Sequence, residues 1–90
     1  MARAAAPVTR EQAYILLSDI LRDVLGCEPV SLDDATPVEE VPGWDSIGQI
    51  GVLAAAEIRF GVEIRAVEAE RLTRIGEVVD LILKKQPYLP

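Results

Sequence analysis

The sequence predicts an all-α fold, a small four-helix bundle of three longer helices and one short one, with a long loop between the first two. Two observations lead there. Half of the 90 residues are hydrophobic but only 4% are aromatic, so the core must be built from Leu, Ile, Val and Ala, a composition that suits helices better than sheet. Apolar residues also recur at three- and four-residue spacing in separate segments punctuated by Gly and Pro, which is the period of an amphipathic helix.

The first helix is expected over Arg10 to Leu25. Thr9 and Gln12 have the spacing of a capping box, and Glu11 lies in the first turn, where negative charge is favoured. Ala13, Leu16, Leu17, Ile20, Leu21 and Val24 form one apolar stripe. Arg10, Glu11, Ser18, Asp19, Arg22 and Asp23 fall largely opposite, and Gly26 supplies the stop. From Cys27 to Trp44 the periodicity dissolves. Pro29, Pro37 and Pro42 interrupt it, Ser31, Asp33, Asp34 and Thr36 offer local turns, and Val30, Leu32, Ala35, Val38 and Val41 are spaced as pins that tack the loop to a core. Unstructured connections of this length inside a compact domain are often functional.

The second helix is expected from Ser46 to Phe60, ending at Gly61. Val52, Leu53, Ala56 and Phe60 make one apolar face, while Ile47, Ile50, Ala54 and Ile58 make a second, rotated round the axis. A helix apolar on two sides is either fully buried or turns one side toward a partner. Gly48 and Gly51 cost the helix stability but permit close approach of another surface to its first turns. Val62 and Ile64 then point inward from a short linker, Ala66 to Leu72 forms a short helix, and Thr73 caps a last helix with Ile75, Val78, Val79 and Ile82 as its stripe. Lys84 and Lys85 occupy its final turn and Pro87 stops it. One domain over 9–86 is expected, with tails at 1–8 and 87–90.

The repertoire for catalysis is poor. The chain has no histidine and a single cysteine, Cys27, which removes the usual general base, any intramolecular disulfide and any cysteine metal cluster. A net charge of −6 argues against nucleic acid and anionic membranes as partners. No apolar stretch is long enough to span a bilayer and no signal sequence opens the chain, so a soluble, cytoplasmic monomer without membrane insertion is expected. Between Asp23 and Ile58 there is no Lys or Arg, yet Asp23, Glu28, Asp33, Asp34, Glu39, Glu40, Asp45 and Glu57 all fall there. Such a zone is either a solubilising surface or a docking field for basic partners.

One stretch concentrates the covalent possibilities: Val41-Pro42-Gly43-Trp44-Asp45-Ser46-Ile47. Pro42 and Gly43 end any preceding element and either Asp45 or Ser46 can cap the helix that follows. The Ser46 hydroxyl then sits at a helix N-terminus, where orphan amides and the macrodipole favour a phosphoester. The plainer reading is a cap alone, either Asp45 or a Ser46–Gln49 capping box. Trp44 either anchors the loop or lies partly exposed beside Ser46.

With these elements in this order, the chain from about Thr9 to Gln86 resembles the acyl carrier protein family. Gly43-Trp44-Asp45-Ser46-Ile47 is similar to the family's Asp-Ser-Leu attachment motif, with Ile in place of Leu. Ala56-Glu57-Ile58-Arg59-Phe60-Gly61-Val62-Glu63-Ile64 resembles its end of helix two and the turn beyond. The resemblance implies a carrier, not an enzyme. Ser46 would hold a 4′-phosphopantetheine arm installed by a phosphopantetheinyl transferase from coenzyme A. Asp45 would cap helix two and help the transferase address the serine. Ile47, Ile50, Ala54, Glu57, Ile58 and Trp44 would face partners: acyl or aminoacyl ligases, synthases and transferases with basic docking patches. Acidic residues usual on helix two in housekeeping members are replaced by Gly48, Gly51 and Ile58, and Trp44 is reminiscent of specialised free-standing carriers. That favours a dedicated pathway over bulk fatty-acid synthesis, and the resemblance itself implies acyl cargo, in a fatty-acid, lipid or polyketide-type pathway. The alternatives are an aminoacyl or peptidyl carrier of a nonribosomal-peptide-type pathway and an unmodified helical adaptor.

Overall fold

The computed structural model describes residues 8–26 and 32–86. The expectations for Cys27, Glu28, Pro29, Val30, Ser31 and Pro87, and for residues 1–7 and 87–90 of the two tails, lie outside them. Among the described residues four α-helices follow one another: α1 over Arg10–Leu25, α2 over Ser46–Phe60, α3 over Ala66–Ala69 and α4 over Ile75–Lys85, with a 3-10 turn at Val38–Glu40. α1 packs against both α2 and α4. Ala13, Leu17, Ile20 and Leu21 from α1, Val52, Leu53 and Ala56 from α2, and Ile75, Val78, Val79 and Ile82 from α4 form one aliphatic core. The expected stripes of all three longer helices therefore meet.

The local chemistry of α1 is as the sequence indicates. Gln12 N–H donates to Thr9 Oγ1 at 3.1 Å while Thr9 N–H donates to Gln12 Oε1 at 2.9 Å, which closes the capping box. Gly26 ends the helix with φ +70, a left-handed cap that its N–H secures to the Arg22 carbonyl. The stripe departs from expectation at two positions. Leu16 is half-buried, and Val24 is 39% exposed, because in the last turn of α1 its side chain lies over Gly51 of α2 at the edge of the bundle, not inside it.

The long loop is fastened along α4. Val38 and Val41 are buried and Leu32 half-buried, as expected of pins. Ala35 is exposed instead, because its N–H is held by Asp33 Oδ1 in a turn at 2.9 Å. Val38 N–H donates to the Thr73 carbonyl at 3.0 Å. Ile75 N–H donates to the Thr36 carbonyl at 2.8 Å and Gly76 N–H to the Asp34 carbonyl at 3.1 Å. Those last two are orphan amides of the first turn of α4, and loop carbonyls satisfy them. A Cβ on Gly76 would lie 2.7 Å from the Asp34 carbonyl oxygen, so only glycine lets the loop come this close.

The start of α4 thus differs from expectation. Arg74, not Thr73, is the N-cap residue, and its side chain makes no cap bond. Thr73 instead donates its N–H (2.7 Å) and its hydroxyl (2.9 Å) to Glu77 Oε1. α3 is also shorter than the Ala66 to Leu72 expected. After Ala69 the amides of Arg71 and Leu72 bond three residues back, to Glu68 and Ala69, and this tightening ends the α-helix so that the chain can turn into α4.

Candidate functional site

The site is the N-terminus of α2 and the loop that delivers it. Buried Val38 and Val41 anchor the approach, Trp44 N–H donates to the Val41 carbonyl at 3.0 Å, and Gly43 adopts φ +87. The Gly43 carbonyl oxygen lies 2.2 Å from where a Cβ on Gly48 would stand, and Leu25 Cδ2 is 2.9 Å from the same point. Gly48 is therefore what allows the loop and the end of α1 to fold against the first turn of α2. Gly51 lets Val24 approach one turn later. Both glycines were expected to permit a close approach, and the surface they admit is the protein's own α1 and loop.

Asp45 is the N-cap, extended at φ −115 and ψ −167, with Oδ1 accepting from Gly48 N–H at 2.7 Å. Ser46 is the first helical residue and is exposed. Its hydroxyl makes no hydrogen bond among the described residues, and neither its own N–H nor that of Ile47 has an acceptor there. The Ser46–Gln49 capping box does not form, because Gln49 is committed elsewhere. Its Oε1 accepts from Trp44 Nε1 at 2.9 Å and its Nε2 donates to the Ala69 carbonyl at 3.4 Å, which ties the loop, α2 and α3 together. Sequence reasoning missed this role, since Gln49 sits at a spacing that reads equally well as a cap. Trp44 is 8% exposed, so it anchors the loop and does not project toward solvent.

Ser46 opens onto a groove of about 560 Å³ between α2 and α3, with Trp44, Ile50, Leu53, Ala66 and Ala69 among its apolar walls and Glu39 and Glu70 among its polar lining. A nucleophile needs a base within hydrogen-bond reach, and among the described residues no side chain hydrogen-bonds the Ser46 hydroxyl: Asp45 Oδ1 is used by the cap and the chain has no histidine. Nor do the described residues include any group of three or more His, Cys, Asp or Glu able to hold a metal. What the arrangement offers is an accessible, unpartnered hydroxyl beside two free amides at the positive end of a helix, a donor set matched to a phosphodiester.

The residues expected to face partners divide. Ile47, Ile50 and Ile58 are 81%, 70% and 82% exposed, and Ala54 is exposed with them. Glu57 is half-buried, with Oε2 accepting from Ile64 N–H at 2.7 Å. It holds the linker between α2 and α3 instead of standing free beside the isoleucines. Trp44, as above, belongs to the groove wall.

A family model described as a phosphopantetheine attachment site matches residues 16–82, most of the chain. The meromycolate extension acyl carrier protein of Mycobacterium tuberculosis is 26% identical over 84 residues, covering 93% of this chain and 73% of that protein. The acyl carrier protein of Campylobacter curvus is 33% identical over 66 residues, covering 73% of this chain and 86% of that one. Among solved structures, an acyl carrier protein from Thermotoga maritima superposes with a TM-score of 0.77 at 22% identity, covering 84% of this chain and 88% of that one. No helix among the described residues is long and apolar enough to cross a membrane. The chain belongs to the phosphopantetheine-attachment family of acyl carrier proteins, which use 4′-phosphopantetheine to carry acyl groups between synthases and transferases and do no catalysis of their own.

Proposed function

We propose that Ser46 is the attachment point of the 4′-phosphopantetheine arm and that the protein delivers acyl intermediates along a dedicated fatty-acid, lipid or polyketide-type pathway. The observation that carries the first part is the free Ser46 hydroxyl in the first turn of α2, next to the unpartnered Ser46 and Ile47 amides. When bound, the arm supplies a terminal thiol that holds acyl groups as thioesters. The protein's part is to present the serine oxygen, to offer amides and helix dipole to the phosphate charge, and to keep α2 rigid through the Asp45 cap and the Gln49 ties. With no side chain among the described residues hydrogen-bonded to the hydroxyl, removal of the serine proton falls to a phosphopantetheinyl transferase acting on coenzyme A.

Relatives described as acyl carriers, one of them for meromycolate extension, support acyl over aminoacyl cargo. Co-expression with a broad-specificity phosphopantetheinyl transferase tests the assignment: one added phosphopantetheine, mapped to the peptide containing Ser46, is expected. Modification elsewhere, or none, overturns it. Offering the loaded protein to panels of fatty-acyl and amino-acid ligases tests the cargo, and loading by the amino-acid panel alone would contradict acyl transport.

A further inference from the structure

Resting on the assignment of the arm to Ser46, we propose that enzymes acting at this serine seat an uncharged, apolar surface on α2 instead of a basic patch. The seat is a ridge of Ile47, Ile50, Ala54 and Ile58, recurring at three- and four-residue spacing on one side of the helix and all exposed. Val24 of α1, also exposed, extends the ridge where its Cγ1 meets Gly51.

Two facts identify the partner's chemistry. First, α2 contains only two ionisable side chains, Glu57 and Arg59, and both are turned away from the ridge. Glu57 accepts the Ile64 amide at 2.7 Å, while Arg59 reaches the Asp19 and Asp23 carboxylates of α1 at 3.9 and 4.0 Å. Second, Ile47 directly follows Ser46 and is 81% exposed. An enzyme that bonds to the Ser46 oxygen must therefore cover the start of the ridge, where the one adjoining carboxylate, Asp45, has Oδ1 engaged by the Gly48 amide and the helix beyond it presents only apolar side chains along the ridge. The carboxylates of Glu39, which lines the groove, and of its neighbour Glu40 lie on the 3-10 turn at the rim of such a contact, with no ion pair among the described residues. Rim charges alter encounter rates, whereas the desolvated centre determines how firmly the partners hold.

The test is the KM for this chain in modification by a broad-specificity phosphopantetheinyl transferase with coenzyme A. Raising NaCl from about 0.05 to about 0.5 M, enough to screen rim charges, is expected to change the KM of the unaltered chain by less than about twofold. The Ile50→Ala/Ile58→Ala double variant is expected to raise KM about tenfold, as loss of central apolar contacts does, with an unchanged melting temperature because both side chains are exposed. A tenfold rise in KM with salt, or a double variant within twofold of the parent, overturns the proposal. Sedimentation as a dimer that the double variant dissociates would overturn it as well, assigning the ridge to a second copy of this chain. If Ser46 takes no arm there is no KM to measure, and it is the attachment assignment that has failed.

Discussion

Asp45 and Ser46 both belong to residue types that cap helices, and the backbone divides the work between them. Asp45 is extended and spends its carboxylate on the Gly48 amide; Ser46 is already helical and spends its hydroxyl on nothing among the described residues. Substitutions should separate the two roles. Ser46→Ala is expected to leave the unfolding midpoint unchanged while abolishing phosphopantetheine loading, whereas Asp45→Ala should lower stability by about 1 kcal/mol in denaturant titrations, the usual worth of an N-cap. Asp45→Asn retains the accepting oxygen and should keep most of that stability. A large loss of loading in this stable variant would show that the transferase uses the carboxylate itself. The sequence could not choose between the two caps, because residue type and spacing fit both. The choice follows from where Gly43 and Gly48 allow the loop to meet the helix.

The extents of α1 and α2 were legible because each carries its own signals: cap-forming residues at the start, a stripe and a terminal glycine. The start of α4 was not, since its amides are satisfied by carbonyls of a loop some forty residues earlier. No local pattern announces such a partner. Gly76 marks this junction, and Gly76→Ala is expected to destabilise the fold by about 1–3 kcal/mol, as overpacking does, because the new methyl meets Asp34 backbone. Gly51→Ala meets only the Val24 side chain at the bundle's edge. It should be neutral or stabilise by up to about 1 kcal/mol through helix propensity. Urea unfolding of the two variants side by side distinguishes a backbone clash from a side chain that moves aside. The length of α3 was overestimated for a related reason: helical composition persists to Leu72, but the turn into α4 unwinds the chain sooner.

Across the molecule, a few polar ties join elements distant in sequence. The Gln86 side chain exchanges hydrogen bonds with both the N–H and the carbonyl of Val8. Arg10 bridges Asp34 of the loop and Asp80 of α4, and Lys85 of α4 meets Glu68 of α3 at 2.6 Å. Tyr14 also donates to Asp34, and burial first, then that bond, pushes its phenol up to about 12. Asp34 is held below the usual carboxylate range by Tyr14 and then Arg10, and Glu68 by Lys85 and then the Arg65 amide. Glu77 is lowered from the usual 4.5 to about 2, chiefly by the Thr73 amide and hydroxyl. A carboxylate whose folded value is depressed contributes stability above its unfolded value, and that contribution is lost as pH falls toward the folded one. The melting temperature should therefore fall between about pH 4.5 and pH 2, and Glu77→Gln should flatten part of the slope. A melting temperature independent of pH in that window would contradict these ties.

The apolar second face of α2 was readable because hydrophobic periodicity counts residues on both sides of a helix. That Glu57 leaves this face was not, because only the folded chain brings the Ile64 amide within its reach. The ridge and the groove meet at Ser46, so the account turns on what that oxygen carries. Intact-mass measurement of the protein isolated from its own cells, followed by mapping of the modified peptide, addresses this most directly. A mass excess that includes one phosphopantetheine on the peptide containing Ser46 is the predicted result. An unmodified serine in protein from its own source, unmodified still after exposure to coenzyme A and an active transferase, would contradict it.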